Sequence, residues 1–130
     1  MRAGPSFFRK AAVAAARGAS AKKADGILVF DLTRSQGSVA DYVCVMSGNS
    51  SVHLRALREA VEEELDRLEL SPVHRDGMGS ARWSVLDYGG LMVHILRDED
   101  RDFYSLERLW GDARTVSWKA PRKTGRAGKK

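Results

Sequence analysis

Cysteine is nearly absent: Cys44 is the single thiol in 130 residues. A lone thiol excludes an internal disulfide and a zinc site built from several thiolates. Set in the apolar run YVCVM, it reads as a small buried hydrophobe, and a reducing, cytoplasmic compartment fits it. Long apolar runs are missing too. None approaches the roughly 18 residues that span a bilayer, so a soluble protein with no membrane partner is expected. The histidines His53, His74 and His94 lie far apart in sequence, without a second ligand at i+3 or i+4, which leaves no metal site. No internal repeat is present.

Acids are missing from both ends of the chain. Residues 1–30 hold Arg2, Arg9, Lys10, Arg17, Lys22 and Lys23 against Asp25 alone. Residues 119–130 hold Lys119, Arg122, Lys123, Arg126, Lys129 and Lys130 and no acid. The stretch between them is acidic, so the net charge of +5 belongs to the ends. That argues against a basic nucleic-acid cleft in the body and lets the ends touch phosphates without sequence preference. The Ala-rich, basic amino-terminal stretch looks superficially like a transit peptide. Phe8, Ala12, Ala15 and Ala16 recur near helical spacing, however, and alanine is the best helix former, so a docked first helix is the reading adopted.

What remains is enough for one domain, residues 1–118, followed by a basic disordered tail, 119–130. Its 43% hydrophobic content allows a real core. ILVFDL (27–32) reads as a buried strand and DYVCVMSG (41–48) as a second one. NSS supplies a cap for a helix reaching about Leu70, with Leu54, Leu57, Val61, Leu65 and Leu68 on one face. Its acids Glu59, Glu62, Glu63 and Asp66 read as a solvated face. SPVHRDGMGSAR is a loop with room for a short extended piece. RDEDRDFYSLERLWGDA (97–113) reads as a third helix, capped by Asp98 or Asp100, with Phe103, Leu106 and Trp110 on one face. TVSW (115–118) suits a last short strand. The order is α-β-β-α-β-β-α-β.

The hairpin WSVLDYGGLMVHIL (83–96) poses the functional question. With Gly89 and Gly90 both at positive φ in a two-residue turn, Asp87 pairs with Met92, Leu86 with Val93, Val85 with His94 and Trp83 with Leu96. Alternation then puts Leu86, Tyr88, Leu91, Val93 and Ile95 on one face, suited to packing under helices. Trp83, Val85, Asp87, Met92, His94 and Leu96 fall on the other. Either a further helix covers that mixed face, or it stays partly open as a protein interface.

Catalytic and metal motifs fail on inspection. Asp98, Asp100 and Asp102 resemble a calcium loop, but Phe103 stands where glycine is required and Leu109 where glutamate is. MSGNSS opens a helix without the lysine of a phosphate-binding loop or a dinucleotide spacing. No nucleophile, base and orienting group stand together. A binding module therefore outranks an enzyme.

DYVCVMSGNSSVHLRAL, WSVLDYGGLMVHIL and RDFYSLERLWGDA, in that order, resemble the ribosomal silencing factor family, also called Iojap-like proteins. The resemblance covers about residues 7–118. It implies an α/β (α+β) fold, a single mixed β-sheet with flanking helices related in shape to nucleotidyltransferases. It implies no enzymatic activity and no cofactor. The implied partner is the large ribosomal subunit, bound through ribosomal protein L-fourteen, so that the small subunit cannot join; a part in large-subunit maturation is also implied. The hairpin signature falls on Trp83, Asp87, Tyr88, Gly89 and His94, and the helix signature on Arg101, Phe103, Tyr104, Leu106, Glu107, Leu109 and Trp110. Gly90 stands where many relatives carry Asp. The partner-binding set is thus Trp83, Asp87, Tyr88, Gly89, Met92, His94 and Tyr104. The basic ends can add rRNA contacts, and an open sheet face can pair with a second copy. Two rivals remain: a nucleotide-binding enzyme using Asp31, Asp41 or the acids of 98–102, and a small RNA-binding protein acting through its basic ends.

Overall fold

A computed structural model of the chain describes residues 4–35, 37–38, 40–77, 79, 82–104, 110 and 113–119, and only the backbone of 102–104. The elements run α1 (Pro5–Ala21), β1 (Asp25–Asp31), β2 (Tyr42–Gly48), α2 (Ser51–Asp66), β3 (His74–Asp76), β4 (Trp83–Asp87), β5 (Leu91–Arg97), α3 (Asp98–Tyr104) and β6 (Arg114–Thr115). They form one six-stranded mixed sheet in the order β3-β4-β5-β2-β1-β6. Among the described strands only β2 and β5 pair in parallel. Every residue of β2 is buried, which explains why its sequence is a continuous apolar run rather than an alternating one.

Both long helices cover the same face of the sheet. Ala11, Ala12, Ala15, Ala16 and Ala19 of α1 join Leu54, Leu57, Val61 and Leu65 of α2 over Cys44, Met46, Leu86, Leu91, Val93 and Ile95. The small alanine side chains let α1 come close, and a Cβ on Gly18 would lie 3.4 Å from the Ala60 carbonyl oxygen of α2. Pro5 sits in the first turn of α1, where its missing N–H costs nothing.

Ser50 caps α2, its Oγ accepting from the His53 N–H at 3.0 Å. His53 then ties three segments. Its Nδ1 accepts from the Asn49 N–H at 3.1 Å, so its Nε2 carries the proton and donates to the Lys22 carbonyl oxygen at 2.8 Å. The Asn49 and His53 amides at the opening of this helix are therefore engaged within the fold. The helix stops at Asp66, earlier than the leucine spacing predicts. Glu69 takes a left-handed φ of 60°, and the Leu70 N–H bonds back to the Leu65 carbonyl oxygen. Leu68 still packs on the core from this turn.

The extended piece within 71–82 is an edge strand in its own right. β3 pairs antiparallel with β4, His74 opposite Asp87 and Asp76 opposite Val85. Arg75 points to the helix side and pairs with Glu62 of α2 at 2.8 Å. The third helix is described for Asp98–Tyr104; its expected continuation over 105–109 and 111–112 lies outside the described residues, as does the tail from 120. Arg101 of α3 is 8% exposed. Its Nη1 donates to the Asp25 carbonyl oxygen at 3.4 Å, over Gly26, where any side chain would collide with the guanidinium.

Candidate functional site: the uncovered sheet face

The hairpin register is the expected one: Trp83 opposite Leu96, Val85 opposite His94, Leu86 opposite Val93 and Asp87 opposite Met92. The turn differs. Gly89 alone has a positive φ, 87°, and Asp87 Oδ1 accepts from its N–H at 2.8 Å. Gly90 is needed for space instead, because a Cβ there would lie inside the Phe8 ring of α1.

Alternation places the face opposite the long helices in cross-strand rows. Phe30, Val43, Met92, Asp87 and His74 form one row across β1, β2, β5, β4 and β3, and Leu28, Val45, His94, Val85 and Asp76 the next. Phe30, Leu32, Val43, Val45 and Leu96 are buried, forming a second, smaller core. Trp83, Val85, Asp87, Met92, His94 and Trp110 are half-buried. Both readings of this face are thus partly met. Trp110 lies beside Phe30 and His94, ring centroids 5.6 and 5.8 Å away, and shelters the β1–β2–β5 side. The β4–β5 side stays half open.

His94 stands between two indoles. Trp83 Nε1 donates to its Nδ1 at 3.3 Å, leaving the proton of the neutral ring on Nε2. Burial pushes the imidazole down to about 4, so it is neutral at physiological pH and can offer that N–H to a partner. The rim is acidic: Asp87 and Asp76 belong to the face, and Arg82 is paired with Asp100 at 2.8 Å and Arg97 with Glu99 at 3.3 Å beside it.

The structure thus brings Trp83, Asp87, Met92 and His94 together and keeps Gly89 at the hairpin tip. Tyr88 does not join them. It points to the helix face and is 3% exposed, and burial raises its phenol well above the usual range. Tyr104 ends α3, and its side chain lies outside the described residues. Sequence reasoning missed three contributors. Leu28 and Phe30 alternate with Ile27 and Val29 in β1, a signal within ILVFDL. The spacing of Trp110 with Phe103 and Leu106 predicts a helix stripe, whereas the fold lays its ring beside Phe30 and His94 on the sheet.

Of the acids of the enzymatic alternative, Asp31, Glu99 and Asp100 are engaged locally. Asp31 Oδ1 accepts from the Thr33 N–H at 2.9 Å and the Thr33 hydroxyl at 2.6 Å, and that hydroxyl bond foremost holds the carboxyl below its ordinary range. Among the described residues no three His, Cys, Asp or Glu side chains cluster as metal ligands, and no helix is long and apolar enough to cross a membrane. Cys44 is buried, and burial pushes its thiol up to about 12, far from a reactive thiolate.

These features define an α+β domain with one sheet face under helices and an aromatic, acid-rimmed patch on the other. The family described as ribosomal silencing factor during starvation matches residues 5–130, so the match extends through the basic tail. The ribosomal silencing factor of Bacillus subtilis is 34% identical over 92 residues, covering 71% of this chain and 77% of that protein. A mouse protein named for mitochondrial assembly of the large ribosomal subunit is 30% identical over 73 residues, 54% of this chain and 32% of its own. A crystal structure of a Chromobacterium violaceum protein superposes with a TM-score of 0.74 at 24% identity, covering 92% of this chain and 98% of the other; it shows the same fold. The chain belongs to the ribosomal silencing factor family.

Proposed function

We propose that this protein is a cytoplasmic translational repressor that acts by occupancy rather than by chemistry. Its uncovered sheet face docks on ribosomal protein L-fourteen of the large subunit and excludes the small subunit, and the same binding serves large-subunit maturation. The observation that carries the reading is the half-open patch of Trp83, Met92 and His94 beside Trp110, on a member of this family. Aromatic anchors surrounded by polar groups have the composition of an interface hot spot. The acidic rim suits a basic ribosomal protein, and complementary charge speeds encounter. Gly89 and Asp87 present the hairpin tip at the edge of the patch. Tyr104, at the end of α3, completes the proposed contact set, whereas Tyr88 acts from beneath by supporting the hairpin.

Co-sedimentation with purified large subunits tests this. Trp83→Ala and Met92→Glu are both expected to weaken binding, by about 2 kcal/mol or more for the tryptophan, in proteins whose circular dichroism remains native. Folded variants that pellet with the subunit as the wild type does would remove the patch from the interface. Adding purified L-fourteen as competitor should release the wild type. A second copy pairing through the same face would appear as a concentration-dependent mass that L-fourteen dissolves.

A further inference from the structure

The two basic ends, apart in sequence, meet in the fold. Arg17 of α1 donates from Nε to the Trp118 carbonyl oxygen at 2.7 Å, and the Trp118 indole N–H donates to the Ile27 carbonyl oxygen at 3.2 Å. The indole is therefore held at both its backbone and its ring edge. Between it and the end of α1 lies a groove of about 450 Å³, lined by Arg17, Ser20, Ala21, Trp118 and Lys119. No acid lines it. The Lys119 ammonium stands 5.9 Å from the indole centroid, within reach of a cation–π contact.

Glu64 of α2 reaches Gly18 beside the groove but is paired with Arg67 at 2.6 Å, and among the described residues no acid pairs with the cations of the groove. Arg55, Arg67, Arg75, Arg82 and Arg97 of the acidic body are held in ion pairs. Lys10, Arg17, Lys22 and Lys23 are exposed and enter none among the described residues. Lys10 lies seven residues before Arg17, two helical turns along the same side of α1. Beyond Lys119 the sequence continues with Arg122, Lys123, Arg126, Lys129 and Lys130 and no acid.

We propose that this groove binds single-stranded RNA, one base stacked on Trp118 and the backbone phosphates held by Arg17, Lys119 and Lys10. An ordered aromatic face beside unpaired cations is the combination that takes a base and its phosphate together without reading sequence. The volume is that of a small-molecule site and accommodates a nucleotide. A lipid surface would use the cations and needs an indole free to insert, whereas Trp118 is packed on the core and held to the Ile27 carbonyl oxygen. The groove lies across the sheet from the Trp83 patch, so RNA binding in it does not depend on which partner that patch takes.

The test is fluorescence anisotropy of a labelled oligouridylate with the full-length protein, at about 50 and about 200 mM salt. The wild type should bind, and weaken steeply with salt. Lys119→Ala and Lys10→Ala, which break no side-chain hydrogen bond among the described residues, should each weaken binding and flatten the salt dependence. Trp118→Leu should cost about tenfold, and Trp118→Phe should restore most of it. Trp83→Ala should bind RNA as the wild type does, which separates this site from the docking face. Absence of RNA binding at low salt, or affinity indifferent to Lys10, Lys119 and Trp118, would overturn the proposal. So would binding to phosphatidylserine vesicles that depends on these residues while RNA is ignored.

Discussion

His94 shows how one residue acquires its character from its neighbours. A histidine in an alternating strand titrates near 6.5 in the unfolded chain. Folding places it between Trp83 and Trp110, and burial lowers it to about 4. Between those values the unfolded chain binds the proton and the native protein does not. Stability from this residue is therefore complete above about 6.5 and is lost as pH falls toward 4, by at most about 1.4 kcal/mol per pH unit. Protonating Nδ1 would also break the bond from Trp83. Urea unfolding at several pH values should show the wild type losing more stability on acidification than His94→Leu, which cannot titrate. Parallel acid limbs in the two proteins would mean the imidazole is solvated.

Among elements, the contact between α1 and the β4–β5 turn is the most constrained. Phe8 occupies the space above Gly90, and the Gly90 carbonyl oxygen accepts from the N–H groups of Asp41 and Tyr42 at the start of β2. Helix, hairpin and central strand are thus coupled at one glycine. Gly90→Asp should destabilise the protein by about 1–3 kcal/mol through overpacking. Phe8→Ala should recover part of that loss in the double variant, because residues in contact are not additive. Thermal denaturation of the four proteins measures the coupling; strict additivity would show that Phe8 swings away freely. The glycine pair was legible as a turn. The reason for its second member was not, since nothing local links residue 90 to residue 8.

Across the whole molecule, the sheet separates two surfaces. Its helix side carries the basic groove at Arg17 and Trp118, and its other side the acid-rimmed patch around Trp83. Substitutions on opposite sides share no contact, so their effects should add. The loss of large-subunit affinity in Trp83→Ala with Lys119→Ala should equal the sum, in free energy, of the two single losses. Raising salt should erode the Lys119 share more than the Trp83 share, because exposed charges are screened and apolar burial is not. Equal salt sensitivity of both shares would contradict two distinct surfaces.

The amino-acid sequence by itself determined β1, β2, β4 and β5, the long helices and the hairpin register, because those follow from alternation, spacing and turn chemistry over a few residues; the last strand falls at 114–115 rather than 115–118. It also determined that the body is acidic and the ends basic, and the family its motifs resemble. The tertiary structure alone decided how far the face of Trp83, Met92 and His94 is covered, laying Trp110 beside His94. It alone made a strand of 74–76, whose edge pairing with β4 has no periodic signal in three residues. It alone joined Arg17 to Trp118 across 101 positions of sequence. Local patterns report what a segment does with its neighbours in the chain; packing and long-range hydrogen bonds report what the closed sheet brings within reach, and the candidate sites of this protein are of the second kind.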